Sequence, residues 1–347
     1  MNKKYISFRS KIFPVSFLTY KRNIIRILIL ILISIYLMLL STLLGSTKLN
    51  IINLLKILFQ DIKSSESFII KYLRLPRIFT AFLIGASLAV SGTILQGISR
   101  NPLAAPNIVG ITGGASLGSV IFITFFSGVL SIKYLPLFSI IGALTVTTLV
   151  CLFSWKNGVK PIRLILIGVG VSAAMHAITT VLIILSPIYS ASQAYIWLTG
   201  SIYGTNWDDF SLLLPWTLFF TALSLLYSKH INLQSLGDEV AIGLGNKVQL
   251  HRFILLFISI ALAGSAVSIG GKISFIGLIG PHISRRLVGT SYESLIPTSA
   301  FIGGLILLIA DTVARTAFLP LDIPAGIFTS AIGGPFFIYL LYSKSRK

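Results

Sequence analysis

The sequence contains few charged residues, and acidic residues are especially scarce. Only 11% of its 347 residues are charged, and just 9 of them are Asp or Glu. Soluble domains usually carry about 25% charged residues. Hydrophobic residues make up 55% of the chain, which is more apolar surface than a soluble core of this size can bury. This composition excludes an ordinary water-soluble protein and predicts a protein that lies mainly in the lipid bilayer.

Basic residues greatly outnumber acidic ones, with 28 Lys and Arg and a formal net charge of +19. In a soluble protein such an excess would indicate nucleic-acid binding. In a membrane protein, however, Lys and Arg collect in the cytoplasmic loops. We therefore expect these basic residues to contact membrane lipid, and we expect no nucleic acid as a partner.

The sequence has a single cysteine and no recognisable catalytic or metal-binding motif. Cys151 lies in an apolar run, so an internal disulfide is excluded and we expect its thiol to pack as a small hydrophobe. There is no HxxxH or HExxH spacing and no carboxylate cluster. We expect neither catalytic residues, nor a cofactor, nor a metal site built by the protein itself.

A phosphate-binding loop of the type GxxxxGK[ST] is also missing. The nearest match, GGKI at 270–273, lacks both the upstream glycine and the hydroxyl residue. Without the backbone cradle and the lysine that bind nucleotide phosphates, this chain is not expected to hydrolyse ATP. If the protein is part of an active pump, its motor is a separate subunit.

The apolar runs are long enough to cross a bilayer. A spanning helix needs roughly 20 apolar residues, because the hydrocarbon core is about 30 Å thick. We therefore predict an all-α polytopic membrane protein with about ten transmembrane helices. The predicted spans are residues 24–44, 78–97, 108–128, 135–153, 163–185, 210–228, 251–269, 274–290, 296–314 and 325–342.

The distribution of basic residues predicts the orientation. An even number of spans places both termini on one side of the membrane, and that side receives 19 of the 28 Lys and Arg residues. Both termini are therefore predicted to be cytoplasmic, with residues 1–23 as a leader and 24–347 as a single domain in the cell membrane. The outer segment Lys48–Arg77 is the basic exception, and Leu49–Ile62 within it predicts a helix lying on the membrane surface.

Two of the predicted spans carry small residues along one face. Such stripes allow helices to approach closely in lipid. Gln96, at the end of the first stripe, is predicted to form an interhelical hydrogen bond. The stripes are Gly85, Ala89, Gly92 and Gln96 in the second span and Gly110, Gly114 and Gly118 in the third.

Several longer motifs follow one another in order after residue 70. They are LRLPR (73–77), GASLAVSGTILQGISRNPLAAPNIVGITGGASLG (85–118), LGDEVAIGLG (236–245), GGKISFIGLIGPHISRRLVG (270–289), LIADTVART (308–316) and IPAGIFTSAIGGPFFIYLL (323–341). Together they resemble the FecCD family of permeases, the membrane subunits of importers for iron–siderophores, haem and cobalamin. Within these motifs a structural role is expected for Gln96, Asn101, Pro102, Pro281 and His282.

The resemblance implies the architecture of a type II ABC-importer permease that works by alternating access. It implies a second permease subunit, identical or similar, two cytoplasmic ATP-binding subunits and an extracytoplasmic substrate-binding protein. The implied cargo is a ferric siderophore, with haem or cobalamin as alternatives. The implied pathway is wide and chemically unselective, with selectivity held by the binding protein.

The resemblance also implies a docking surface on the outer side. It assigns Arg74 and Arg77 of the LRLPR motif, together with Arg315, to contacts with acidic residues of the binding protein. Guanidinium groups suit this role because they pair with carboxylates through two hydrogen bonds. The alternative is contact with lipid headgroups and an internal pair between Arg315 and Asp311, one helical turn earlier.

On the cytoplasmic side, the resemblance assigns a segment at about 233–248 to coupling with the ATPase. Small residues there would permit close approach, and the two acids would cap a helix or meet basic groups. The alternative is a solvated turn. The residues assigned to coupling are Gly237, Asp238, Glu239, Ala241, Gly243 and Gly245.

The fifth span carries Ser172, His176 and Thr179 on one face, and the resemblance places this span beside the transport pathway. An intramembrane histidine is a functional candidate, although a buried, hydrogen-bonded structural histidine is the alternative. A secondary transporter driven by ions would instead need carboxylates within the spans. Asp311, near the outer end of the ninth span, comes closest to meeting that need.

Overall fold

The computed structural model describes residues 5–9, 16–45, 50–60, 64–156 and 158–345. A short antiparallel hairpin of strands β1 (Tyr5–Arg9) and β2 (Ser16–Tyr20) precedes the helices, with Tyr5 opposite Tyr20. The hairpin lies within the predicted leader, and the apolar pattern did not predict it. Apart from this hairpin and one isolated bridge between Trp155 and Val159, the described chain is helices and their connections.

The helices largely follow the predicted spans, with several short additions. A π-helical turn, Ile69–Arg74, joins α3 to α4, and a 3-10 turn, Ile132–Tyr134, leads into α6. In order, the α-helices are α1 (Lys21–Leu43), α2 (Ile51–Phe59), α3 (Ser65–Phe68), α4 (Leu75–Ser99), α5 (Ile111–Phe125), α6 (Leu135–Ser154), α7 (Pro161–Leu185), α8 (Ile188–Thr199), α9 (Trp207–Leu226), α10 (Ser228–Ser235), α11 (Asp238–Gly243), α12 (Val248–Gly270), α13 (Ile276–Val288), α14 (Tyr292–Thr316) and α15 (Ala325–Ser345).

Eight helical runs in the described chain are long and apolar enough to cross a membrane. They correspond to eight of the predicted spans, so the hydrophobic pattern is confirmed there. The two remaining predicted spans coincide with α5 and α13, which have only 15 and 13 residues. The predicted boundary between the seventh and eighth spans is also confirmed, because α12 ends at Gly270.

Helix α4 is the central element of the fold, and it is almost completely buried. Gly85 packs directly against Gly303 of α14, and Gly92 packs against Gly277 of α13, with no room for a Cβ at either contact. The Nε2 atom of Gln96 donates a hydrogen bond of 3.3 Å to the Gly277 carbonyl. The predicted small-residue stripe and the interhelical hydrogen bond are therefore confirmed.

Polar contacts attach two further helices to α4. The Ser91 and Ser259 hydroxyl oxygens lie 2.7 Å apart and connect α4 to α12. The Ser87 and Thr217 hydroxyl oxygens, 2.8 Å apart, connect α4 to α9. Because no water is available inside a bilayer, such buried hydroxyls are satisfied by neighbouring helices.

The second predicted stripe forms the contact between α5 and α6. Gly114 packs against Gly142 of α6, and Gly118 packs against Gly142 and the Phe138 backbone. Gly110 instead caps the start of α5 with φ of 87°, a conformation that suits glycine. The stripe therefore serves close approach at two positions and helix initiation at the third.

The two ends of α4 define the two ends of the molecule. Arg74 precedes α4, and we call that end the arginine end. Arg100 follows α4 and lies 3.4 Å from Asp238 of α11, so we call the opposite end the α11 end. Helix α1 begins at the α11 end, where the Asn23 side chain donates to the Val288 carbonyl at 2.9 Å.

Within the predicted surface helix, which begins and ends outside the described residues, α2 is helical and lies at the arginine end. Asn50 caps it by accepting a hydrogen bond from the Ile52 amide at 3.4 Å. Leu54 and Ile57 are buried against Ile70 of the π-helical turn. Helix α2 therefore packs on the protein through this face.

The α4–α13 contact gives a direct test of the packing. We expect Gly92→Ala to destabilise the fold by about 1–3 kcal/mol, because the added methyl group would overlap the Gly277 backbone. Gly334→Ala is the matched control, since a Cβ at this position in α15 would meet nothing within 4 Å. Thermal unfolding in detergent measures both, and equal unfolding temperatures would contradict the predicted clash.

Candidate functional site

The arginine end contains a network centred on Arg77. Its Nε atom donates to Asp311 at 3.0 Å, and its Nη1 and Nη2 atoms donate to Asp322 at 2.5 and 2.8 Å. Asp311 is completely buried, whereas the side chains of Arg77 and Asp322 are 12% and 27% exposed. Arg77 therefore joins α4 and α14 to the loop that precedes α15.

The other two predicted arginines lie beside this network and hold the end of α1. Arg315 Nη1 donates to the Leu44 carbonyl at 2.8 Å, and its Nε atom lies 3.8 Å from Asp311. Arg74 is buried and donates to the Thr42 carbonyl at 2.7 Å. Both side chains thus bind carbonyl groups at the C-terminal end of α1.

The structure therefore brings Arg74, Arg77 and Arg315 together, but each already has partners within the chain. The internal pair between Arg315 and Asp311, given above as the alternative, is present. Asp322 was not predicted as part of the site. It is the most exposed carboxylate of the network and covers the side of Arg77 that faces away from Asp311.

At the opposite end, an ion pair between buried Arg252 and half-buried Asp238 holds α11 in place. The Asp238 carboxylate accepts a hydrogen bond from Arg252 Nη2 at 2.8 Å, and Arg252 Nη1 donates to the Val159 carbonyl at 2.6 Å. The Arg252 side chain is almost fully buried. The expected role of Asp238 in meeting basic groups is confirmed, whereas Glu239 is exposed.

Helix α11 and its flanking residues present an exposed apolar surface. Ala241 faces inward and is fully buried. Gly243 and Gly245 are exposed, and Gly237 and Gly245 have positive φ values of 119° and 79°. We call the exposed apolar side chains around them the α11 ridge, which comprises Leu236, Val240, Ile242 and Leu244.

Two histidines that the sequence motifs did not reveal lie beside α11. The rings of His230 and His251 stack with centroids 3.6 Å apart, and both Nδ1 atoms point to the Asn246 side-chain oxygen. The backbone amide of Asn246 donates to the Ala241 carbonyl at 2.9 Å. This cluster closes the C-terminal end of α11 and links it to α10 and α12.

The predicted pathway residues of α7 face different surroundings. The Ser172 hydroxyl donates to the Asn107 carbonyl at 3.0 Å, and Thr179 is buried and donates to Met175 of its own helix. Ser172 and His176 are both half-buried, and each is followed by an exposed alanine, Ala173 and Ala177, whereas Thr179 is buried. The three residues therefore do not form one open face.

Among the residues that the structure describes, no three His, Cys, Asp or Glu side chains are grouped so that they could hold a metal ion. The arrangement instead consists of a charged network at one end, an apolar ridge at the other, and a helical bundle between them. This geometry is suited to binding partners at both ends.

Comparison with known proteins identifies the family. The model of the FecCD transport family matches residues 29–343. The chain belongs to the FecCD transport family.

Relatives and solved structures agree with this assignment. YfhA of Bacillus subtilis (strain 168), named as a siderophore transport system permease protein, is 48% identical over 81% of this chain and 83% of its own. YfmE of the same organism, named as an Fe(3+)-citrate import system permease protein, is 42% identical over 94% of this chain and 97% of its own. A solved inward-facing metal-chelate type ABC transporter chain is 34% identical, with a TM-score of 0.82 over 91% of this chain and 98% of its own.

The FecCD motif residues lie in the packed part of the bundle or at its connections. The Asn101 side chain accepts a hydrogen bond from the Leu103 amide at 3.0 Å and shapes the turn that includes Pro102. Pro281 is buried inside α13. The His282 ring packs edge-on against Phe336 of α15, with centroids 5.6 Å apart.

The arginine network predicts a large effect of neutralising its buried carboxylate. We expect Asp311→Asn to destabilise the protein by about 3–5 kcal/mol, because Arg77 and Arg315 would lose the carboxylate that pairs with both. Asp208→Asn at the same end is the control, since its side chain is 83% exposed. Membrane abundance and thermal unfolding in detergent measure the effect, and wild-type values for Asp311→Asn would refute the structural role of the network.

Proposed function

We propose that this FecCD protein is the permease subunit of an ATP-binding-cassette importer that carries a ferric siderophore across the cytoplasmic membrane. The observation that best supports the proposal is the α11 ridge, an exposed apolar surface that the Asp238–Arg252 ion pair holds in place. Exposed apolar surfaces of this kind mark interaction sites. The chain lacks a phosphate-binding loop, so the motor of such an importer would be a separate ATPase, and we assign the ridge to that contact.

In this proposal the chain crosses the membrane ten times, with α5 and α13 as short spans, and both termini are cytoplasmic. The basic start of α1, with Lys21, Arg22 and Arg26, lies at the α11 end near Arg285 and Arg286 of α13. Lys and Arg are retained on the cytoplasmic side of membrane proteins. This distribution supports a cytoplasmic α11 end and an extracytoplasmic arginine end.

The complete importer contains a second permease subunit, identical or similar, two ATP-binding subunits and an extracytoplasmic binding protein. Helix α7 supports the second permease, because many of its side chains are exposed in the single chain. Several of the exposed residues are small, which permits close helix approach. They include Gly170, Ala173, Ala174 and Ala177.

The binding protein is proposed to dock at the arginine end, where one of its carboxylates would compete with Asp322 for the Arg77 guanidinium. Asp322 is partly exposed and holds two hydrogen bonds to Arg77 that an external carboxylate could replace. The bonds from Arg77 to buried Asp311 would remain. Docking would then release the loop that leads into α15 without breaking the network that holds α4 and α14 together.

The proposed cargo follows from the relatives, whose names refer to siderophore and Fe(3+)-citrate transport. An ion-coupled secondary transporter receives less support. Such a mechanism needs a carboxylate that can change its charge within the membrane. Asp311, the completely buried carboxylate of the network, is already paired with Arg77 and Arg315.

The ATPase contact can be tested at the α11 ridge. We expect the double variant Ile242→Asp, Leu244→Asp to lose co-purification with the ATP-binding subunit, because two apolar side chains would no longer be buried at the interface. Each contributes about 1.5–3 kcal/mol, so the dissociation constant should rise by more than about 100-fold. Ile188→Asp, at an exposed site near the opposite end, is the control. Undiminished co-purification of the double variant would show that the ridge is not the coupling surface.

Docking can be tested without disturbing the buried network. We expect Asp322→Asn to tighten binding of the purified binding protein several-fold, because Arg77 is freed for an external carboxylate. Asp208→Asn controls for the loss of one negative charge from the same end. Binding is measured on the permease in lipid nanodiscs. An unchanged or weaker affinity for Asp322→Asn, relative to that control, would argue against Arg77 as a docking group.

A further inference from the structure

A basic pocket of about 650 Å³ lies between the start of α1 and the end of α13, at the α11 end of the molecule. Five of the ten residues that line it are basic, and no described carboxylate is among them. A pocket lined by charges of one sign concentrates ions of the opposite sign. The pocket is therefore suited to an anionic ligand. Its basic residues are Lys21, Arg22, Arg26, Arg285 and Arg286.

Two side chains of α1 fix the shape of the pocket by binding the last turn of α13. The Asn23 side-chain amide donates to the Val288 carbonyl at 2.9 Å, and Arg26 Nη1 donates to the Leu287 carbonyl. Carbonyl groups at the C-terminal end of a helix carry partial negative charge and would repel an anion. Because two of these carbonyls are already hydrogen-bonded, the end of α13 opposes an anion less strongly.

Three basic residues of the pocket are available for a ligand. Lys21, Arg22 and Arg286 are exposed, and none of them forms an ion pair with a described carboxylate. Positive charges that share one pocket repel one another, and an anion placed among them removes this repulsion. These three side chains are therefore the candidate contacts for the anion.

An exposed apolar surface of α1 begins where its basic residues end. Ile25, Leu28, Ile29 and Leu32 are all between 49% and 67% exposed. Ile25 and Ile29 follow Arg22 by three and seven residues, so they lie on the same side of the helix as this arginine. Helix α1 has 23 residues and is about 35 Å long, so its basic first turn reaches the surface of a hydrocarbon core about 30 Å thick. A ligand in the pocket can therefore contact basic groups and lipid-facing apolar surface together.

We propose that this pocket binds an anionic phospholipid, with the phosphate group among Lys21, Arg22 and Arg286 and the acyl chains along α1. Arginine pairs with phosphate oxygens through two hydrogen bonds, and basic pockets between membrane helices bind anionic headgroups. A free phosphate ion would use the basic residues but not the apolar surface beside them. The lipid bridges α1 and α13 and so stabilises the fold. This site is independent of the cargo and goes beyond the proposed import function.

The test measures lipid binding to the full-length chain, purified in detergent, by native mass spectrometry. The probes are phosphatidylglycerol, which is anionic, phosphatidylcholine with the same acyl chains, which has no net charge, and inorganic phosphate. We expect the first phosphatidylglycerol molecule to bind about ten-fold or more tightly than phosphatidylcholine and to raise the unfolding temperature. The double variant Arg22→Gln, Arg286→Gln should weaken phosphatidylglycerol binding by about ten-fold or more, since each basic residue near an anionic headgroup contributes roughly five-fold. The charge-retaining variant Arg22→Lys, Arg286→Lys should keep most of the binding.

Lys156→Gln, Lys160→Gln is the matched control, because it removes two exposed positive charges outside the pocket at the same end of the molecule. It should bind phosphatidylglycerol within about two-fold of wild type. An equal loss of binding in both double variants would show only a general attraction between basic residues and anionic lipid, and would overturn the inference. Wild-type binding by the Arg22→Gln, Arg286→Gln variant would overturn it as well, and so would displacement of phosphatidylglycerol by inorganic phosphate.

Discussion

The close packing of α4 is the constraint on which the rest of the structure depends. Lipid provides no hydrophobic drive for helices to associate, so they are held by tight contacts and hydrogen bonds. Gly85 and Gly92 bring the backbones of α14 and α13 against α4, and buried hydroxyls attach α9 and α12. Because α4 carries Arg77 near its start and ends just before Arg100, its position fixes the arginine end and the α11 end relative to each other.

At each end of the molecule, an aspartate lies between two arginines. Asp311 pairs with Arg77 and Arg315 at one end, and Asp238 pairs with Arg252 and Arg100 at the other. Breaking either pair is costly because it leaves a buried group, Asp311 or Arg252, with an uncompensated charge, so each aspartate orients the elements around it. The exposed parts, Asp322 and the α11 ridge, are thereby held at the surface by well-packed helices, and they are the sites at which we propose that partners bind.

The positions of the helices could be predicted from the sequence because hydrophobic runs and small-residue stripes are local patterns. The partners of charged side chains could not, because they are distant in the chain. Arg77 and Asp322 are 245 residues apart, and nothing near either residue indicates the pair. The ridge could likewise not be predicted from the small residues of α11. Its side chains point outward because Ala241 is buried, and that burial depends on packing against distant parts of the chain.

We propose that this chain is a permease without its own motor. This proposal is tested most directly by reconstituting the permease in proteoliposomes with its partner permease and binding protein, and measuring entry of the iron chelate. With a proton or sodium gradient but no ATP-binding subunits, the account predicts no accumulation. With the ATP-binding subunits and ATP it predicts accumulation that vanadate blocks. Accumulation driven by an ion gradient in the absence of the ATP-binding subunits would contradict the account.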